Sequence, residues 1–180
     1  MFEGDTLWVW RHPRPVGIEG RCIGQCDVIV PARRAKRLAR RVQMLARRHG
    51  LPRVVYTSPL QRCAAVGRYL RRWGWQHVRD PALLELSFGA WDGQRWSDIN
   101  HQEIDQWCQD FASHRPGAGE SLQAMLARAS AWQASHGEGV VIGHAGWMLS
   151  RRWAREQGAA PTVASQWPQP PAYAALWHLC

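Results

Sequence analysis

Arg11 and His12 stand side by side after a short apolar run, TLWVW at positions 6–10, and Pro13 cuts that run off. His144 has the same setting, directly after GVVIG at 139–143. A third run, RVVYT at 53–57, ends in Ser58-Pro59, with Arg62 one turn further on. Glu85 follows a fourth, less regular apolar stretch. Two arginines, two histidines and one carboxyl group, each at the end of such a run, form a set with a definite chemistry. A guanidinium grips phosphate oxygens with a planar fork of donors and keeps its charge. A neutral imidazole is a nucleophile toward phosphorus when it lies in line with the leaving oxygen. A carboxyl group supplies the proton that a departing alkoxide needs. The set suits phosphoryl transfer through a histidine.

The elements that must position these groups follow from pattern and punctuation. Thr6–Trp10 reads as a first strand, and Pro13, Pro15, Gly17 and Gly20 mark residues 13–31 as a loop. Between Ala32 and His49 the apolar residues Ala35, Leu38, Ala39, Val42, Leu45 and Ala46 recur at helical spacing, and Gly50 and Pro52 mark the stop. Arg53–Thr57 reads as the next strand. Ser58 is expected to cap a helix with Pro59 in its first turn, running from Leu60 to about Trp73. A less regular strand is expected within 76–84, helices at 97–112 and 121–136, a buried strand at 139–143, a helix from about Trp147, and a final edge strand at 172–179. Strands that alternate with helices build a mostly parallel sheet covered on both faces, a three-layer α/β/α sandwich. Ligands bind such sheets beyond the carboxyl ends of the strands, which is where the candidate residues fall.

Four segments occur in an order that resembles the histidine phosphatase, or phosphoglycerate mutase-like, superfamily. They are Arg11-His12 after TLWVW, TSPLQR at 57–62, LLELSFGAWDG at 83–93 and VVIGHAG at 140–146. RHPRP followed by GRCIGQCDV at 20–28 is similar, within it, to the alpha-ribazole phosphatase group of cobalamin biosynthesis. The resemblance implies a phosphomonoesterase that needs neither metal nor cofactor. It makes His12 the residue that is phosphorylated, Arg11, Arg62 and a protonated His144 the phosphate pocket, Glu85 the proton donor and Ser58 a supporting position. The chain departs from the family at Pro13 and Pro15, where glycine and a hydroxyl residue are usual. It departs again at Asp92, where a longer acid is usual and which is therefore a rival to Glu85 for the proton donor; its place between glycines is that of an ordinary exposed turn acid. Trp91, Trp96, Trp107 and Trp147 lie near these motifs and are candidates for stacking on an aromatic leaving group.

With 180 residues the chain is expected to be one domain, 1–180. Its 46% hydrophobic and 21% charged content excludes a disordered or collagen-like chain. No stretch approaches the roughly 18 apolar residues that read as a membrane span, and the acidic start lacks a secretory pattern, so a cytoplasmic protein is expected. Cys22, Cys26, Cys63, Cys108 and Cys180 are odd in number and lack metal-ligand spacing, and they read as reduced thiols. The formal charge of +9 suits an anionic partner, here a small phosphomonoester. Arg33, Arg34, Arg37, Arg40, Arg41, Arg47 and Arg48, with Lys36, form a basic helix face, read as solvated rather than as a nucleic-acid site. Two rival functions remain at this level. One is a mutase-type phosphotransferase, which would return the phosphoryl group to a bound product. The other is a non-catalytic nucleic-acid module using the basic helix. Oligomeric state is not legible.

Overall fold

The computed structural model describes residues 7–136 and 138–179; Thr6 and Cys180, both named above, lie outside the described residues. Five strands form one sheet: β1 (Leu7–Arg11), β2 (Val54–Thr57), β3 (Gln76–Arg79), β4 (Val140–Gly143) and β5 (Leu176–Leu179), in the order β3-β2-β4-β1-β5. Every pairing is parallel except that of β5, which runs antiparallel along the outer edge of β1. Helices α1 (Ala32–His49) and α2 (Gln61–Arg72) cover one face; α4 (Leu122–Ala131) and α5 (Ala145–Glu156) cover the other. The expected three-layer α/β/α architecture with a mostly parallel sheet is the observed one.

The two cores follow from side chains alternating across each strand. Trp10, Val55, Val140 and Ile142 face Leu38, Val42, Cys63, Val66 and Leu70 of α1 and α2. Val9, Tyr56 and Val141 face Met125, Ala129, Trp147 and Met148 of α4 and α5. Helix α1 keeps its arginines on the solvent side, with Arg47, Arg48 and His49 in the last turn, where the macrodipole favours positive charge. It stops at Gly50 in the left-handed conformation, whose N–H reaches Ala46 O.

Several boundaries differ from expectation, each for a local reason. Helix α2 opens at Gln61, not after a Ser58 cap: Ser58 Oγ accepts from Leu60 N at 3.3 Å, closing a turn in front of the helix. Strand β3 is four residues long, because Pro81 begins a short 3-10 turn capped by Asp80. Helix α3 (His101–Gln109) starts after Asn100, whose side chain accepts from Gln102 N. Helix α4 is capped by Ser121 but ends at Ala131, and α5 begins at Ala145, ahead of Trp147. The last strand begins at Leu176, after a proline-rich connection.

The register sets the site. Arg11 pairs with Gly143, and Thr57 with Ile142. His12 N therefore donates to Gly143 O at 3.0 Å, and Ser58 N to Ile142 O at 3.4 Å. The residues that follow β1, β2 and β4 emerge together at one edge of the sheet.

Two outcomes follow for stability. Leu70 is fully buried between α2 and the sheet, so Leu70→Ala should cost about 2–5 kcal/mol in urea unfolding. His77 Nε2 lies 2.8 Å from Thr57 Oγ1, and its ring fills the space above Gly67. Burial, then the charge of Arg79, pushes His77 down to about 4 from an ordinary 6.5. Between those values the unfolded chain binds the proton and the folded one does not, so stability is present above pH 6.5 and is lost as pH falls toward 4. The melting temperature should fall across this window, and His77→Gln should reduce the slope.

Candidate active site

His12 is 4% exposed and His144 fully buried, yet both sit at the carboxyl edge of the sheet, with ring centroids 5.2 Å apart. His12 Nδ1 lies 2.8 Å from Pro13 O. A carbonyl can only accept, so Nδ1 carries the proton and Nε2 keeps its lone pair. Burial first, and the charge of Arg62 next, hold His12 well below its ordinary range, so the ring is neutral. Pro13 thus contributes its carbonyl, although it has no N–H to offer an anion.

Arg62 is 1% exposed and every nitrogen of its guanidinium is engaged. Nη1 donates to Cys26 O at 2.6 Å, Nη2 to Gly24 O, and Nε to His144 Nδ1 at 3.1 Å. Each terminal nitrogen keeps one further N–H. Because Arg62 Nε can only donate, His144 Nδ1 is the acceptor and Nε2 carries the ring proton. Burial and then Arg62 hold His144 well below its ordinary range. The expected protonated His144 is therefore corrected: the ring is neutral and offers a donor through its tautomer. Cys63 Sγ, 3.4 Å from His144 Nε2, backs the ring, and burial pushes that thiol up.

Arg11 Nη1 donates to Pro171 O, and its guanidinium carbon stands 3.8 Å above the centre of the Tyr173 ring. Arg11 Nε is buried without a partner among the described residues. Tyr173 also packs against His12 at 5.5 Å. Sequence reasoning did not single out Tyr173 or Pro171; the signal was an aromatic residue at the end of the proline-rich connection, just before the edge strand.

Glu85 does not end a strand, as expected, but an irregular segment after the Pro81–Leu83 turn. Arg128 fixes that segment, donating through Nη1 to Ala82 O and Leu84 O at 2.8 and 2.9 Å while its other nitrogens pair with Glu120. Glu85 Oε2 accepts from Gly146 N at 3.1 Å, beside His144. A Cβ at Gly146 would overlap that carboxylate, so a larger residue there would push the Glu85 side chain out of this position. The structure thus brings Arg11, His12, Arg62, Glu85 and His144 together. Ser58 is fully buried at the same edge, with its hydroxyl turned to Leu60 N.

Asp92 is not the exposed turn acid expected from its glycine neighbours. Its Oδ1 accepts from Gly24 N at 2.9 Å and Gln25 N at 3.2 Å. Burial raises it, against these backbone donors, which lower it. It pins the loop whose carbonyls hold Arg62. A Cβ on Gly24 would collide with both Asp92 and Leu86 O. Of the four tryptophans, Trp147 is core and Trp91 is buried with Nε1 on Glu103 at 3.0 Å, so neither can stack on a ligand. Trp96 is 36% exposed and packs on Phe88. Trp107 lines a cavity of about 260 Å³ beside Glu85. No group of three His, Cys, Asp or Glu among the described residues could hold a metal ion, and no helix there is long and apolar enough to cross a membrane.

Known structures share this fold. A mycobacterial glucosyl-3-phosphoglycerate phosphatase, solved with VO3, superimposes with a TM-score of 0.72 at 20% identity, over 95% of this chain and 88% of that one. A protein from Escherichia coli assigned provisionally as an alpha-ribazole-5′-P phosphatase gives 0.71 at 24% identity, over 86% and 80%. A protein from Thermus thermophilus gives 0.61 at 26%, over 87% and 88%. A sequence search of curated proteins finds no match. The family model of the histidine phosphatase superfamily (branch 1) matches residues 7–159, and the chain therefore belongs to that superfamily.

Proposed function

We propose that this single-domain protein is a metal-independent phosphomonoesterase of the cytoplasm, working through a phosphohistidine at His12. The observation that carries the reading is the His12 Nδ1 contact with Pro13 O, which leaves a neutral, buried ring with its Nε2 lone pair beside two guanidinium groups. In the first step Nε2 attacks phosphorus and the P–O bond to the alcohol breaks. Arg11, the further N–H groups of Arg62 and His144 Nε2–H stabilise the equatorial oxygens, with Ser58 supporting the turn beneath them. Glu85 gives its proton to the departing alkoxide. In the second step the Glu85 carboxylate takes a proton from water, the water oxygen attacks phosphorus, and the P–N bond breaks to release phosphate. The arginines supply the positive charge that a metal supplies elsewhere. The four described cysteines are free, which suits a reducing compartment.

Alpha-ribazole 5′-phosphate is the specific substrate we put forward. It is supported by the motif resemblance at 11–28 and by the provisional assignment of the Escherichia coli neighbour. The basic face of α1 is a solvated surface in this reading.

His12→Ala should abolish turnover with the fold intact by circular dichroism. The wild type, assayed in EDTA, should trap an acid-labile, base-stable phosphoenzyme. Full activity in His12→Ala, or loss on chelation reversed by a divalent ion, would overturn the reading. Isomerisation of phosphoglycerate without phosphate release would mark the mutase outcome instead.

Glu85 and Asp92 separate by leaving group. An alkyl alcohol departs poorly unless protonated, whereas a nitrophenolate leaves as the anion. Glu85→Gln should lose about 10²–10⁴-fold on an alkyl phosphate and much less in phosphohistidine formation from an aryl phosphate, followed by burst kinetics. Asp92→Asn should instead raise KM for both esters alike, because it loosens the Gly24–Cys26 carbonyls under Arg62. A leaving-group-dependent loss in Asp92→Asn alone would reassign the donor.

A further inference from the structure

Residues 28–79, which span α1, β2, α2 and β3, contain no aspartate or glutamate. The same stretch holds 14 of the chain's 23 arginines and lysines, all arginine but for Lys36. The other residues carry nine cations against 14 acids and are net negative. The fold turns this division of the sequence into a division in space. Helices α1 and α2 pack side by side on one face of the sheet with their apolar residues inward, so their cations share one outer surface. A general preference for arginine does not account for it. Elsewhere the chain pairs its charges, as in Arg14–Glu19, Arg128–Glu120 and Arg152–Glu156, whereas among the described residues no cation of 28–79 makes an ion pair. Within α1, Arg33–Arg37, Lys36–Arg40 and Arg37–Arg41 stand four residues apart, a spacing at which like charges oppose the helix. Mixed signs would serve solubility without that repulsion. The surface is complementary to an extended anion.

The same surface has an apolar seat. A groove of about 180 Å³ lies between the two helices, lined by Ile29, Val30, Ala65 and Tyr69, with Arg68 and Arg72 in the same wall and no acid. Ile29 is 62% exposed there. On the outer side of α1, Met44 is 69% exposed, and the neighbours three and four residues away on that face are Arg40, Arg41, Arg47 and Arg48. We infer that the α1–α2 face docks an acidic segment of a partner protein, with carboxylates on the arginine forks and an apolar side chain in the groove. A guanidinium holds a carboxylate through two parallel hydrogen bonds. A nucleic-acid backbone presents phosphates but no aliphatic side chain for the groove. A membrane-surface helix inserts its apolar face, and that of α1 is packed on the sheet. A peptide segment supplies both carboxylates and an aliphatic side chain. Docking there is independent of the phosphomonoesterase reading.

The probe is a labelled helical peptide as long as α1, 18 residues, with glutamates and one leucine in each turn. Its binding to the full chain is read by fluorescence anisotropy in physiological salt. A control peptide of equal charge, with glutamine for each leucine, should bind about tenfold more weakly or worse, the effect of leaving an apolar groove unfilled. Arg68→Glu with Arg72→Glu should weaken the leucine peptide by about tenfold or more. Tyr69→Ala should bring the two peptides to similar affinity; Ile29→Ala, at an exposed position, is the second variant should Tyr69→Ala fail to fold. Hydrolysis of an aryl phosphate should be unchanged in all of these variants, since none belongs to the active site. Equal binding of the two peptides by the wild type, or no binding in physiological salt, would overturn the inference. Tighter binding of a DNA duplex or of phosphatidylserine vesicles, measured alongside, would overturn it too and assign the face to a phosphate surface.

Discussion

A guanidinium buried in a protein interior must have its donors satisfied, since an unpaired buried charge is strongly destabilising. Arg62 meets that condition by binding two loop carbonyls and one ring of the site, and most of the local structure serves this arrangement. The carbonyls of Gly24 and Cys26 are turned inward because Asp92 takes the N–H groups of Gly24 and Gln25 from behind. Gly24 has no side chain because Asp92 and Leu86 occupy the space where one would stand. His144 is held in one tautomer because Arg62 can only donate to it. One charge thus orders a loop, a ring and a carboxylate drawn from distant parts of the chain.

The same charge shapes the chemistry of both histidines. Burial removes the solvation that would favour imidazolium, and Arg62 adds repulsion, so both rings stay neutral. For His12 neutrality means an available lone pair. For His144 it means a donor on Nε2. The two rings share one electrostatic environment and differ in the partner that fixes each tautomer: a carbonyl for His12 and a guanidinium for His144. A net positive site with neutral rings is suited to an anion that brings its own charge.

The cavity beside Glu85 is built by different physics. Beyond Glu85 the wall changes from charged forks to aromatic rings, and the change occurs within single chain segments, as at His144 to Gly146. Gly146 lets the Glu85 carboxylate approach the start of α5 and also opens the cavity behind it. The Trp167–Tyr173 segment crosses the same boundary from the other side. A proline-rich chain loses little conformational freedom when it is ordered, which suits it to hold Arg11 at one end and the cavity at the other.

The sequence by itself determined the layers and the location of the site. Apolar runs that stop at Arg11-His12, Ser58 and His144 report strands leaving a buried sheet, because a strand buried on both faces must be apolar along its length. The helical stripe of α1 and its Gly50 stop were legible for the same local reason. Tertiary structure decided what depends on partners far along the chain. Ser58 could cap a helix by its type, but its turn to Leu60 moved the start of α2 beyond it, to Gln61. Asp92 is an ordinary turn acid by its neighbours and a scaffold for Arg62 by its hydrogen bonds, made to residues 67 and 68 positions away. His144 is a titratable imidazole in the sequence and a neutral one in the fold, because its charge state depends on burial and on Arg62, which no local pattern encodes. Tyr173 acquires meaning only when the last connection folds back over Arg11. Local pattern carries backbone conformation and burial; charge states, tautomers and shared cavities arise from distance in space, and only the folded chain sets those distances.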